Sequence, residues 1–340
     1  MIHGHGDDLP FDDHSVSLNF SSNVYRQPRL DELFSHLGKC WNRVRSYPEP
    51  VPETAEGIVA ESLRLAPENV CLTNGATEAI YLVAQAFSGR RSCILAPTFS
   101  EYADACRLHC HKVRFIYSLD RLPADADIVW LCNPNNPTGA VIPHADMEQT
   151  VGQHPHTLFV IDQSYEDFTL ERLFGAAEAA ALPNVILLHS MTKTYGIPGL
   201  RVGYLTACPE MADRIRRVRM PWSVNALAME AAIYLVRHEA DFRPDTGFLL
   251  EERERVAARL EALRLAEVWP GQTHFLLARL RMGVASALKG YLLREHGILI
   301  RDAGNFEGLD GRYFRIAVQG READDRLLAA IQEWIFSEWA

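Results

Sequence analysis

Lys193 lies just past the apolar run Val185 to Leu188, in the stretch His189-Ser190-Met191-Thr192-Lys193-Thr194-Tyr195-Gly196-Ile197-Pro198-Gly199-Leu200-Arg201-Val202-Gly203-Tyr204. An amine at the end of a buried strand is costly unless it is used, because desolvation disfavours the ammonium and lowers its pKa. That is the condition for a Schiff-base nucleophile. The hydroxyls of Ser190 and Thr192 and the fixed cation of Arg201 are what a phosphate beside such an imine requires. Together they point to a lysine holding pyridoxal phosphate. From this stretch alone, the competing reading is a strand followed by a basic surface loop.

That cofactor asks a protein for a lysine, an acid near the ring nitrogen, a phosphate cradle and an aromatic face against the ring. Asp162 follows one apolar run and supplies the acid. The turn Asn74-Gly75-Ala76-Thr77-Glu78 joins a short strand to a helix N-terminus, where unpaired amides and the helix dipole favour an anion, so Gly75, Ala76 and Thr77 are phosphate candidates. Tyr102 or Phe99 offers the ring, while Asn136 and Tyr165 are placed to donate hydrogen bonds to the ring oxygen beside the imine. Each also has a plain explanation: Asp162 as a turn cap, Asn136 as the start of a Pro-Thr-Gly turn, Tyr102 as core. The conjunction in order is harder to explain that way.

The elements that must position these residues follow an α/β rhythm. Apolar runs Cys93 to Ala96, Val113 to Tyr117, Ile128 to Leu131, Leu158 to Ile161, Val185 to Leu188 and Val202 to Thr206 alternate with helical stretches. This predicts a mainly parallel sheet covered on both faces, with ligands beyond the carboxyl ends of its strands. Beyond Arg219 the rhythm changes to helices 224–237 and 248–263, a strand near Phe275 to Arg279, a helix 284–296 and a closing helix 324–339. The expected organisation is an N-terminal arm over residues 1–46 that packs with a small domain, a large domain over 47–222, and a linking helix with the small α/β domain over 223–340.

Composition narrows the classes. With 340 residues, 48% hydrophobic and 23% charged, the chain has ample core, and its net charge of -10 argues against nucleic-acid or anionic-membrane surfaces. Seven scattered cysteines fit reduced thiols rather than a disulfide framework. Cys106 and Cys110 with His109 and His111 come nearest to a metal cluster, but no second ligand pair follows at zinc-site spacing, so a packed helix end and no metal are expected. The start Met1-Ile2-His3-Gly4-His5-Gly6-Asp7-Asp8 lacks the basic and apolar regions of a signal peptide, so the expected compartment is the cytoplasm.

The motifs Asn133-Pro134-Asn135-Asn136-Pro137-Thr138-Gly139, Asp162 with Tyr165, Ser190 to Lys193, and Gly199 to Tyr204 resemble, in order and spacing, those of fold-type I pyridoxal-phosphate enzymes of the class I/II aminotransferase family. The resemblance spans essentially the whole chain. It implies that Lys193 forms the imine and carries protons, that Asp162 partners the pyridine nitrogen, and that Asn136 and Tyr165 contact the ring oxygen. It makes Tyr102 the stacking ring and gives the phosphate to Ala76, Thr77, Ser190 and Arg201, with Thr192 a weaker candidate. Arg315 matches the small-domain arginine that takes a substrate anion.

Within the family the chain looks most like the branch of histidinol-phosphate aminotransferases and threonine-phosphate decarboxylases. Tyr47-Pro48-Glu49-Pro50 resembles a proline-flanked tyrosine that reaches the cofactor phosphate of a neighbouring subunit, which implies a homodimer. Gly297 to Asp302, Asn305 to Leu309, Tyr313 to Val318 and Phe20-Ser21-Ser22-Asn23 look more like the decarboxylases of cobalamin synthesis. The opening resembles them too, although His3-Gly4-His5-Gly6-Asp7 departs from their usual His-Gly-Gly form. The expected substrate contacts are Arg301, Arg315, His5 and Asn23. The expected reaction is decarboxylation of O-phospho-L-threonine to an aminopropanol phosphate. Transamination of histidinol phosphate is the alternative, and a ligand-binding protein without turnover is the reading from another class.

Overall fold

The computed structural model describes residues 15–26 and 28–339, with side chains through Ile335. His5 lies outside the described residues. In chain order the strands are β1 (Leu18–Asn19), β2 (Val70–Thr73), β3 (Arg91–Leu95), β4 (Lys112–Ile116), β5 (Ile128–Cys132), β6 (Leu158–Asp162), β7 (Val185–Ser190), β8 (Gly203–Ala207), β9 (Ala266–Val268), β10 (Phe275–Leu280), β11 (Ile298–Leu299), β12 (Arg301–Asp302) and β13 (Tyr313–Ala317).

Seven of them form one sheet in the order β2-β8-β7-β6-β5-β3-β4. Residues of β2, β5 and β6 are buried throughout, which is why these segments read as continuous apolar runs rather than alternating ones. Pairing is parallel from β4 across to β7, and β8 runs antiparallel to both β7 and β2. The α/β fold with a mainly parallel central sheet is therefore as expected. The reversed strand matters for chemistry. The N-terminal end of β8 lies beside the carboxyl ends of β2 and β7, so Arg201 and Gly203 reach the same rim as Gly75 and Ser190.

The closeness of this rim explains Gly203. A Cβ there would lie 2.7 Å from both the Ala76 amide nitrogen and the His189 carbonyl oxygen, so only glycine lets β7, β8 and the helix Gly75–Ala86 meet. The core splits accordingly. Ile186, Leu188, Leu205 and Trp130 point to one face of the sheet, while Val129, Phe159, Ile161 and Leu187 point to the other, each packed under helices.

Strands β12-β13-β10-β9 form a second, antiparallel sheet. The helices Thr246–Ala262, Ala285–His296 and Arg321–Trp339 belong to the same part of the chain. The arm runs along it: β1 pairs in parallel with β11, and the Ala317 amide donates to the Phe20 carbonyl at 3.0 Å. This fixes Ser21, Ser22 and Asn23 at the junction of the two sheets. Among the described residues no helix is long and apolar enough to cross a membrane.

Candidate active site

A cavity of about 250 Å³ opens at the carboxyl ends of the large sheet's strands, walled on one side by the small sheet. Its lining contains Ala76, Thr77, Tyr102, Asn136, Asp162, Tyr165, Ser190, Thr192, Lys193, Arg201, Arg301, Arg315 and Asn23. The structure thus brings together residues that the sequence leaves up to 292 positions apart, from Asn23 to Arg315.

The helix Gly75–Ala86 starts at Gly75, whose φ of +77° favours glycine. A Cβ on Gly75 would sit 2.5 Å from Arg201 Nη2, so the glycine also makes room for that guanidinium. Arg201 itself adopts a left-handed backbone with φ 57° at the start of β8, and its Nη1 donates to the Pro198 carbonyl at 2.9 Å. Burial lowers its pKa, and among the described residues it has no ion-pair partner. A half-buried guanidinium beside a helix N-terminus, without a carboxylate, is a site for an anion. Ser190 and Thr192 complete the rim, with their hydroxyl oxygens 2.9 Å apart. Lys193 follows in the short helix Met191–Thr194 and is half-buried at the cavity wall.

Asp162 ends β6 and is only 4% exposed. Burial pushes its pKa upward, and hydrogen bonds from Ser164 and Tyr102 with the nearby His189 draw it back. The Ser164 amide donates to Oδ1 at 2.9 Å and the Tyr102 hydroxyl donates to Oδ2 at 2.7 Å. Tyr102 lines the cavity, with its ring stacked on Trp130 at 6.1 Å and its hydroxyl bonded to Asp162. The neighbouring Phe99, edge-on to Tyr102 at 5.9 Å, is the less buried aromatic of the lining. Phe99 and Tyr102 lie three residues apart across the start of the helix Glu101–Leu108, so tertiary packing and not spacing decides which ring is presented.

Asn136 accepts a hydrogen bond from Arg315 Nη1 through its Oδ1, and Arg315 Nη2 donates to the Ser21 carbonyl. Arg315 also lies 5.8 Å from the centre of the Phe275 ring. Burial raises the Tyr165 pKa, and the Arg315 charge draws it down. Arg301 donates to Asn305 Oδ1 at 2.8 Å and lies over the Phe306 ring at 5.4 Å. Two guanidiniums therefore enter one cavity, each oriented by a neutral amide and an aromatic face.

The sequence reading passed over His274. It is 1% exposed, its ring lies 3.9 Å from that of Phe168, and burial pushes its pKa down to about 3, with the charges of Arg315 and Lys193 acting in the same direction. It is a neutral imidazole beside Asn23, whose backbone draws its pKa partly back up. Nothing in the local pattern Thr273-His274-Phe275 signals this, since a histidine beginning a strand is usually core. Tyr47 stands apart from the cavity of its own chain: it is 86% exposed, with its ring 5.5 Å from that of Trp222.

The model of the family described as aminotransferase class I and II matches residues 17–331. A threonine-phosphate decarboxylase of Salmonella typhimurium is 34% identical over 275 residues, covering 76% of this chain and 75% of that protein. A histidinol-phosphate aminotransferase of a Thermoanaerobacter species is 29% identical over 306 residues, with 86% and 85% covered. Among solved structures, the L-threonine-O-3-phosphate decarboxylase of Porphyromonas gingivalis superposes with a TM-score of 0.91 at 38% identity, over 94% of this chain and 99% of that one.

Proposed function

The chain belongs to the class I and II aminotransferase family, and from that membership we propose that it is a pyridoxal-phosphate enzyme decarboxylating O-phospho-L-threonine to an aminopropanol phosphate. The observation that carries the reading is the pair Arg301 and Arg315 in the wall of the Lys193 cavity, which suits a substrate bearing both a phosphate and a carboxylate. The likeness to two threonine-phosphate decarboxylases, at 34% and 38% identity, supports the same choice.

The residues present fit the cofactor. Arg201, the amides at the start of the helix Gly75–Ala86, Ser190 and Thr192 would hold its phosphate. Asp162 would face its ring nitrogen, Asn136 and Tyr165 its ring oxygen, and Tyr102 or Phe99 its ring face. Bound there, the cofactor supplies an electron sink for a bond broken at the substrate's α-carbon. Asp162 must be ionised to keep a proton on the ring nitrogen, and the bonds from Tyr102 and Ser164 favour that form. Lys193 Nζ gives the attachment point and then delivers a proton to the α-carbon once the carboxylate has left.

Which bond at the substrate's α-carbon breaks would depend on how this chain's residues orient the substrate. Arg301 and Arg315 therefore decide the reaction by where they hold the substrate's two anions. Arg315 is held by Asn136 and Ser21 and packed on Phe275. The exposed Tyr47 and Trp222 belong to a surface that a second copy of the chain would cover, which brings Tyr47 to the partner's cofactor phosphate.

The second reading, transamination of histidinol phosphate, is favoured by the 29% identity to an aminotransferase over 86% of the chain. Side-by-side turnover decides between them. O-Phospho-L-threonine consumed without any 2-oxo acid, with carbon dioxide released, supports decarboxylation. Strict dependence on 2-oxoglutarate with histidinol phosphate as amino donor overturns it.

A further inference from the structure

The Cys106, Cys110, His109 and His111 group is not a metal site: His111 Nδ1 lies 2.7 Å from Ser92 Oγ and its Nε2 lies 2.8 Å from the Ala84 carbonyl oxygen, so both ring nitrogens serve packing. The fold instead assembles a different set of ligand types away from the cavity. His36 and Cys40, four residues apart at the end of the helix Leu30–Lys39, face Glu230 on the helix Ala226–Arg237.

We propose that His36, Cys40 and Glu230 form a binding site for a zinc-like transition-metal ion that ties these two helices together. The three ligand atoms already form a triangle. His36 Nε2 and Cys40 Sγ are 3.8 Å apart, Cys40 Sγ and Glu230 Oε2 are 3.5 Å apart, and His36 Nε2 and Glu230 Oε2 are 3.7 Å apart. Zinc bonds of about 2.0 to 2.3 Å to nitrogen, oxygen and sulfur give a tetrahedron with edges of about 3.3 to 3.6 Å. Contraction by a few tenths of an ångström completes one face of it. Mixed sulfur, nitrogen and oxygen donors suit zinc and its neighbours and not calcium or magnesium, which take oxygen alone.

Neighbouring groups contact the ligand side chains, Arg43 lying beside both Glu230 and Cys40. Arg43 Nε lies 3.0 Å from Glu230 Oε1, which orients the carboxylate so that Oε2 is the oxygen in the triangle. The His36 ring is stacked on Tyr234 at 4.4 Å and 25°. Outer contacts of this kind orient ligands in metal sites. A carboxylate and a thiolate would offset a dication, the thiol proton leaving to solvent, while the Arg43 guanidinium paired with Glu230 adds one positive charge. The His36 and Glu230 side chains are 31% and 13% exposed, so the cluster is not sealed from solvent.

Cobalt(II) titrated into the metal-free, cofactor-loaded, untagged protein tests the assignment. The expected result is one equivalent bound, with a thiolate-to-cobalt charge-transfer band in the near ultraviolet that zinc(II) abolishes by displacement. The band disappears in Cys40→Ser, which retains circular dichroism and turnover because Cys40 is outside the cavity. Cobalt affinity drops by about tenfold or more in His36→Ala, which removes the nitrogen ligand. No charge-transfer band, or a band unchanged in Cys40→Ser, overturns the site.

Discussion

Replacing Tyr102 by phenylalanine separates two roles that one aromatic residue can play in such a cavity. In the structure its hydroxyl donates to Asp162 Oδ2 at 2.7 Å while its ring rests on Trp130. The substitution keeps the ring and removes one hydrogen bond to a buried carboxylate. Such a bond to a charged group is worth about 1.5–3 kcal/mol, or about 1–2 pKa units. Burial already raises the Asp162 pKa, and Tyr102 is one of the groups drawing it back. Losing it moves the pKa further up, so the protonated, inactive form persists to higher pH. The acid limb of kcat against pH is therefore expected to shift upward by about one unit or more. Steady-state turnover across the acid range measures this, with cofactor saturation checked at each pH. Tyr102 acting only as a stacking ring would leave the limb where it was, and that result refutes the reasoning.

Two further perturbations follow from the same physics. Gly75→Ala places a Cβ 2.5 Å from Arg201 Nη2 at a φ of +77°, so it both strains the turn and displaces the guanidinium proposed to hold the phosphate. Equilibrium titration should show cofactor affinity down by about tenfold or more, the equivalent of losing about 1.4 kcal/mol. Asp324 is fully buried at the start of the helix Arg321–Trp339, and burial first, then Glu252, raises its pKa to about 6. A carboxyl whose folded pKa is raised contributes stability at low pH and loses it as pH rises through about 6. Asp324→Asn should accordingly stabilise the protein by about 1–3 kcal/mol at pH 8, by denaturant melts, with the gain vanishing below about pH 4.

The parts of this architecture most legible in the sequence are those written in continuous runs. Fully buried strands such as β5 and β6 must be apolar throughout, and chemistry at their carboxyl ends then follows from topology, as at Asn136, Asp162 and Lys193. The direction of β8 is not written in any local pattern, because an apolar strand reads the same in either sense. Its antiparallel placement is nevertheless what carries Arg201 to the rim of the cavity. The packing of Tyr102 on Trp130 and its bond to Asp162 depend on residues from two strands. The His36, Cys40 and Glu230 triangle is invisible for a similar reason: its carboxylate lies 190 residues from its thiol.

That Lys193 is the cofactor's attachment point is the claim on which the other assignments rest. The chain has four lysines, Lys39, Lys112, Lys193 and Lys289, of which only Lys193 lines the cavity. Borohydride reduction of the cofactor-loaded protein, followed by peptide mass mapping, locates the linkage directly. The expected result is one pyridoxyl phosphate adduct on the peptide containing Lys193, absent from Lys193→Ala. An adduct at Lys39, Lys112 or Lys289 instead, or none at all, contradicts the account.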